Sequence, residues 1–204
     1  MILIIEGPRH SGKTHLLDEF FKQNTNPNVI YYKFYFAKYI DQFGFRDQES
    51  GSGVHYFSLG NILSIFELNQ TLFKDKVIVF DRCLFSAYVW SIYRKRMKTS
   101  RLQAELEKIL QSELYSNISL LYLDRDENVK IDKKRDKDYF GNFENYSRES
   151  EIFAELLQKF NSYLVNGEKK NTFHMLKNGF NEPSVRLFNE LMDQIINKSI
   201  GANK

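Results

Sequence analysis

Eight residues near the start of the chain, Gly7-Pro8-Arg9-His10-Ser11-Gly12-Lys13-Thr14, fit the spacing G-x-x-x-x-G-K-[ST] and restrict the fold more than any other stretch. They follow the apolar run Ile2 to Glu6, of strand length, and lead into Leu16, Leu17, Phe20 and Phe21, which repeat at helical spacing. A glycine-ended turn between strand and helix can curl its backbone N–H groups around oxygen atoms, because no Cβ stands in the way. The helix start adds the positive end of its dipole. Such a loop wraps phosphates, with Lys13 reaching the β- and γ-phosphates and the Thr14 hydroxyl facing Mg²⁺. From average residue usage the pattern arises by chance in about one chain of this size in a hundred. Gly7, Arg9, His10, Ser11, Gly12, Lys13 and Thr14 are therefore the expected binding residues for a nucleoside triphosphate, His10 as a spacer rather than a base.

Downstream, short apolar runs alternate with amphipathic stretches, the pattern of β-α-β units around a parallel sheet. The first helix ends near the Asn/Pro cluster Asn24 to Asn28, and a second strand runs from Val29 to Phe36. Gly44 to Gly53 reads as a loop, and His55 to Phe73 as a helix whose inner side carries Ile62, Ile65, Phe66 and Leu68. Val77 to Phe80 is a buried strand ending at Asp81-Arg82. Ser100 with Gln103 makes a capping-box start for a helix striped by Leu102, Leu106, Ile109, Leu110 and Leu114. Ile118 to Leu123 forms the fourth strand; a long helix through Ile152, Leu156, Phe160 and Tyr163 follows. Thr172 to Leu176 is the last strand, and Pro183 opens the closing helix as a first-turn proline. The reading is α/β: a three-layer P-loop NTPase fold, with a five-stranded parallel sheet flanked by helices and a short basic lid at about 125–146. Residues 1–204 make one domain.

The composition narrows the chemistry. With 42% hydrophobic and 27% charged residues the chain is an ordinary globular one. No apolar run approaches the roughly 20 residues of a membrane span, and no secretory leader is visible, so a cytoplasmic protein is expected, in the host cytoplasm if the source is viral. The lone Cys83 excludes an internal disulfide, and no zinc-type spacing occurs, which leaves a hard cation held by oxygen. A formal charge of +3 with clustered lysines suits an anionic ligand better than general nucleic-acid coating.

Asp81, directly after a buried strand, belongs at the carboxyl end of the sheet beside the loop, where ligands of doubly wound folds sit. It is the candidate metal residue with Thr14. A hydrolytic motor would place a second acid next; Arg82 stands there instead, a cation suited to gripping a phosphoryl group, so Asp-Arg favours transfer over hydrolysis. Lys130, Lys133, Lys134 and Lys137 fall on one helical face, with Arg135 projecting sideways, and read as a lid that closes cations over the triphosphate and excludes water. Phe34, Phe36, Tyr56 and Phe57 read first as core and second as a surface for a nucleobase. Arg46 reads equally as an acceptor ligand and as a surface residue. Cys83 reads as a small buried residue rather than a nucleophile.

These residues together resemble the thymidylate kinase family of nucleoside monophosphate kinases. Glu6-Gly7 before Ser11-Gly12-Lys13-Thr14 looks like the family's E-G-x-D-x-x-G-K-[ST] opening. Asp81-Arg82 with Phe85-Ser86 is similar to the D-R-Y-x-F-S element of eukaryotic and viral members, and Trp90 keeps an aromatic found there. His55, Phe57 and Asn61 echo the preceding helix. Leu121 to Asp124, the basic stretch with Arg135, and Phe143-Glu144-Asn145-Tyr146 look like the fourth strand, lid and following helix, and Asn178 to Val185 like the loop that packs on adenine. There are departures. Arg9 stands at an Asp position, Cys83 replaces a Tyr, Ile62 sits where an acceptor-binding Arg is expected, and the E-P or P-E-R element after the second strand is missing.

The resemblance implies ATP as donor, Mg²⁺, and transfer of the γ-phosphoryl to a deoxynucleoside monophosphate, thymidylate or a modified pyrimidine deoxynucleotide. Lys13, Asp81, Arg82 and Arg135 would be catalytic; Arg46, Phe57, Arg82, Ser86 and Trp90 would bind the acceptor. The departures leave open a nucleoside or a modified base in DNA as acceptor, and a regulatory module that binds ATP without transferring it. A small-molecule nucleotide is the expected partner, with a homodimer and nucleic acid as further ones and no membrane.

Overall fold

The computed structural model describes residues 1–8, 10–33, 51–93, 95, 97–126 and 143–201, with the side chains of 51, 52, 54 and 143–146 outside that set. Five strands, β1 (Ile2–Glu6), β2 (Val29–Lys33), β3 (Val77–Asp81), β4 (Ile118–Arg125) and β5 (Thr172–Asn178), form one sheet in the order β2-β3-β1-β4-β5. Every pairing is parallel. Parallel strands need crossover helices on both faces, so the inner ones read as unbroken apolar runs. All five positions of β1 and of β3 are buried accordingly.

Helices α1 (Lys13–Gln23) and α7 (Glu182–Gly201) cover one face, where Leu3, Ile5, Val79 and Leu121 pack against Leu16, Leu17, Phe188 and Met192. The other face carries α2 (Gly51–Thr71), α3 (Leu84–Tyr93), α4 (Thr99–Gln111), α5 (Phe143–Lys159) and the short α6 (Asn161–Leu164), whose Phe66, Phe85, Leu106 and Phe153 meet Ile4, Phe80 and Leu120. The three layers and five parallel strands are those expected from the sequence.

Several local expectations are corrected. The helix α2 begins at Gly51 rather than His55, so the segment expected as loop through Gly53 ends earlier. Leu59 is buried on its inner side while Leu68 is 39% exposed. Tyr56 and Phe57, at 42% and 44% exposed, lie outside the core. The helix α3 was not anticipated; Leu84, Phe85, Ala87, Tyr88 and Val89 are all buried, and a helix apolar on most sides carries no amphipathic period. Helix α4 is capped at Lys98 with no side-chain cap hydrogen bond, so Ser100 lies inside it and forms no capping box; Leu114 lies beyond its end. Pro183 does sit in the first turn of α7. Phe34, Phe36, Arg9, Arg46 and the basic stretch with Lys130, Lys133, Lys134, Arg135 and Lys137 lie outside the described residues.

No described helix is long and apolar enough to cross a membrane.

Candidate active site

β1 is the middle strand, so the loop that leaves its carboxyl end stands where the chain connections diverge to the two sides of the sheet. Two glycines make the loop possible. Gly7 has φ +143°, and a Cβ there would come within 2.0 Å of the Leu123 carbonyl oxygen at the end of β4. Gly12 has φ +81° and caps α1; a Cβ there would lie 2.4 Å from Asn178 Nδ2 and 2.9 Å from the Phe180 ring. Both positions are closed to any other side chain. Asn178 donates from Nδ2 to the Ser11 carbonyl at 3.0 Å and accepts from the Phe180 N–H at 2.9 Å, which ties the end of β5 to the loop.

Lys13 is folded back into the cradle. Its Nζ donates to the Pro8 carbonyl and, at 2.8 Å, to Ser11 Oγ, with the side chain buried. Burial holds its pKa well below the usual lysine value, and the nearby Arg82 cation lowers it further against the pull of Glu149, Asp81 and Glu6. An ammonium has three N–H donors, and beyond these two acceptors the third would be open to a phosphate oxygen.

Thr14 Oγ1 donates to Asp81 Oδ2 at 2.6 Å, bridging the start of α1 to the end of β3. The other carboxylate oxygen, Asp81 Oδ1, is buried with no hydrogen-bond partner among the described residues. One hydroxyl and one carboxylate, both hard oxygens at the mouth of the phosphate loop, fit Mg²⁺ and suit no soft metal. Among the described residues no group of three His, Cys, Asp or Glu is arranged as a metal site of its own.

Glu6 was missed as a functional residue in the sequence. Its carboxylate is fully buried and accepts the Cys83 N–H at 3.0 Å, the Ser86 N–H at 3.1 Å and the Ser86 hydroxyl at 2.5 Å. It thus caps the N-terminus of α3 from the neighbouring strand, with favourable charge for the helix dipole. Burial nevertheless raises its pKa above the ordinary carboxylate value. The signals were a charged residue closing an otherwise apolar strand and its place in the Glu6-Gly7 opening.

Arg82 follows, with its backbone in the left-handed region at φ +68° and its N–H bonded to the Ile5 carbonyl at 3.0 Å. That conformation costs a non-glycine residue about 1–2 kcal/mol, and such strain persists only where the surroundings impose it. The Arg82 side chain is 24% exposed, and its Nη1 lies 3.9 Å from Oε1 of Glu149 on α5. Lys13, Thr14, Asp81 and Arg82 are therefore brought together as the sequence implied. Ser86 joins them through Glu6. Trp90 is half-buried further along α3, its ring edge-on to Tyr93. Phe57 faces outward on α2, and His10 is exposed with φ +60°. Cys83 is buried, and its thiol is pushed well up by burial and by Glu6, so it is no nucleophile at neutral pH.

No protein-family model matches the sequence, and no curated protein matches it. Solved structures do match. A thymidylate kinase from Ehrlichia chaffeensis superposes with a TM-score of 0.60 at 17% identity, over 96% of this chain and 97% of its own. A deoxyadenosine kinase from M. mycoides, with the products dCMP and a flexible dCDP bound, gives 0.61 at 14% identity over 97% of this chain and 100% of its own. The chain has the fold of these kinases. A thymidylate kinase from Candida albicans, described as having broad substrate specificity, matches equally, with 0.61 at 16% identity over 98% of this chain and 92% of its own. At such identities the shared property is the arrangement of sheet, loop and helices.

Proposed function

We propose that the chain is an ATP-dependent kinase that transfers the γ-phosphoryl group to a deoxynucleoside monophosphate, with thymidylate or a modified pyrimidine deoxynucleotide as the acceptor. The observation that carries the reading is the Thr14–Asp81 hydrogen bond at the mouth of the cradle, with Arg82 rather than a second acid next in the chain. Glycine-lined amides and Lys13 would hold the donor phosphates. Mg²⁺, held by Thr14 and Asp81, would neutralise charge on the donor when bound. Arg82 would orient the acceptor, and Arg135 and Arg9 would add positive charge in the loose transition state. The bond from the γ-phosphorus to its bridging oxygen breaks, its electron pair leaving with ADP, as an acceptor phosphate oxygen bonds to phosphorus. An acceptor phosphate is already ionised, so no base is required.

That last point favours a nucleotide over a nucleoside. A sugar hydroxyl must lose a proton, and of the carboxylates at the site Glu6 already accepts three donors from the start of α3, Asp81 is assigned to Mg²⁺ and Glu149 faces Arg82. A panel of nucleoside monophosphates, nucleosides and DNA, each with ATP and Mg²⁺ in a coupled ADP-release assay, tests the reading. Turnover of at least one deoxynucleoside monophosphate, lost in Lys13→Ala and Asp81→Asn, is the expected result. Turnover of nucleosides alone replaces the acceptor class, phosphate appearing in polymer points to DNA, and ATP binding without any turnover leaves a regulatory module.

A further inference from the structure

Glu149 has no role in the chemistry above, yet it is a buried carboxylate on α5 within ion-pair range of the one arginine described at the site. We propose that Glu149 is a positioning residue that aims the Arg82 guanidinium and makes the acceptor site selective for anionic over neutral acceptors. The inference rests on the reading that Arg82 meets the acceptor.

The backbone of Arg82 is fixed from the sheet, by its N–H bond to Ile5 and by its left-handed turn. Its side chain has no such anchor. The separation of 3.9 Å from Glu149 is inside ion-pair range and beyond hydrogen-bond length, and Arg82 Nη1 is buried with no hydrogen-bond partner among the described residues. The carboxylate therefore directs the guanidinium without consuming its donors. A guanidinium offers five N–H groups in a planar fork, and the fork suits two oxygens of one phosphate.

The surrounding charges explain the selectivity. Lys13 feels Arg82, Glu149, Asp81 and Glu6 together, so two cations and three carboxylates share one poorly solvated region. Arg82 is thus already compensated by carboxylates of the protein itself. A neutral hydroxyl gains little by approaching a guanidinium whose charge Glu149 balances, whereas a phosphate dianion outcompetes the carboxylate and completes the missing hydrogen bonds. Removing the Glu149 charge while keeping its shape makes Arg82 bind anions more readily but holds it in no particular direction. Affinity for the acceptor phosphate then rises, and turnover falls.

The test is a double-mutant cycle of Glu149→Gln and Arg82→Ala, read in two ways on the full chain. The first is the Kd of inorganic phosphate, with the P-loop filled by a non-hydrolysable ATP analogue and Mg²⁺. Glu149→Gln is expected to tighten phosphate binding threefold or more, and to change nothing once Arg82 is Ala. The second is steady-state kinetics: kcat should fall at least tenfold in Glu149→Gln with the acceptor KM unchanged or lower, and Glu149→Asp, which restores the charge, should recover part of kcat. A merely structural Glu149 would lower stability without this split between KM and kcat. A phosphate effect below threefold, or one that persists in the Arg82→Ala background, overturns the proposal. If the wild type turns over no acceptor, the functional reading fails while the phosphate cycle still decides the role of Glu149. Should the Gln variant not fold, Glu149→Ala, which also removes the charge, is put through the same phosphate cycle, where a Kd shift under threefold overturns the proposal.

Discussion

Replacing Glu6 by Ala should destabilise the fold although the residue lies outside the phosphate loop. The carboxylate satisfies two backbone N–H groups and one hydroxyl at the start of α3, and all of it is buried. An orphaned buried donor costs about 1–3 kcal/mol. A water entering the vacated polar space recovers part of that, so three donors bring the loss to about 3–5 kcal/mol. A domain has only about 5–15 kcal/mol in total. Glu6→Gln keeps a carbonyl oxygen for the two N–H groups and lets the Ser86 hydroxyl turn to accept from the amide. It loses charge assistance but also the burial cost of the charge, so the net loss is at most about 1 kcal/mol.

Urea unfolding followed by circular dichroism at pH 7 separates the two. With an m-value of about 2 kcal/mol/M, the midpoint should drop by about 1.5–2.5 M for Ala and by at most about 0.5 M for Gln. A second readout comes from pH. Burial raises the Glu6 pKa above its unfolded value, so the native state holds the proton more tightly. The stability linked to this group is therefore fully present below the unfolded carboxylate value and is lost as pH rises through the folded one. The Gln variant has no proton to release there and should lack that slope. An Ala variant within about 1 kcal/mol of the Gln variant would refute the cap. Equal pH slopes in wild type and Gln would refute the burial cost.

Gly12→Ala places a methyl 2.4 Å from Asn178 Nδ2 and 2.9 Å from the Phe180 ring at φ +81°; ATP affinity should fall by at least tenfold in titration calorimetry while Tm drops by about 2–8 °C, and affinity within threefold of wild type would contradict the cradle. Cys83 should resist a thiol reagent at pH 8 in the native protein and react after denaturation, since burial holds its pKa high; native labelling at the rate of a free thiol would contradict this. His55 lies fully buried between Ser91 Oγ at 2.9 Å and Glu105 Oε1 at 3.0 Å, and Tyr88 donates to the same Glu105 oxygen. Its Ala variant should lose about 2–4 kcal/mol in urea unfolding without a change in ATP affinity, and a loss under about 1 kcal/mol would show the network to be dispensable.

Much of this was legible in the sequence, for identifiable reasons. The loop from Gly7 to Thr14 is contiguous, so spacing alone placed Lys13 and Thr14 at the start of the helix that follows the second glycine. Asp81 was placed beside the loop by one further rule, that buried parallel strands end at the same rim of the sheet. Burial of the inner strands showed as apolar runs. What stayed hidden depends on contacts between distant segments. Glu6 meets Ser86 across 80 positions, and Asn178 meets Ser11 across 167. The pairing of Arg82 with Glu149 needs α5 to pack beside α3. Helix α3 was missed because its core-facing surface is too wide to leave a polar stripe. Tyr56 and Phe57 were assigned inward because residue type alone does not tell which face of a helix is covered.

The distance between β3 and α3 explains why Glu6 and Arg82 belong together. The strand ends at Asp81 and the helix begins at Leu84, which leaves Arg82 and Cys83 to turn the chain. A turn that short demands the left-handed backbone at Arg82 and exposes N–H groups of the first helical turn with no room for a side-chain cap from within the segment. The neighbouring strand supplies both remedies: Ile5 accepts the Arg82 N–H, and Glu6 takes those of Cys83 and Ser86. Asp-Arg after an apolar strand is therefore insufficient to place a guanidinium beside a phosphate loop. The Glu immediately before the first glycine and the Ser five residues after the Asp hold the backbone of that turn, and they join the glycine loop to the Arg82 segment through a single seam between β1 and β3.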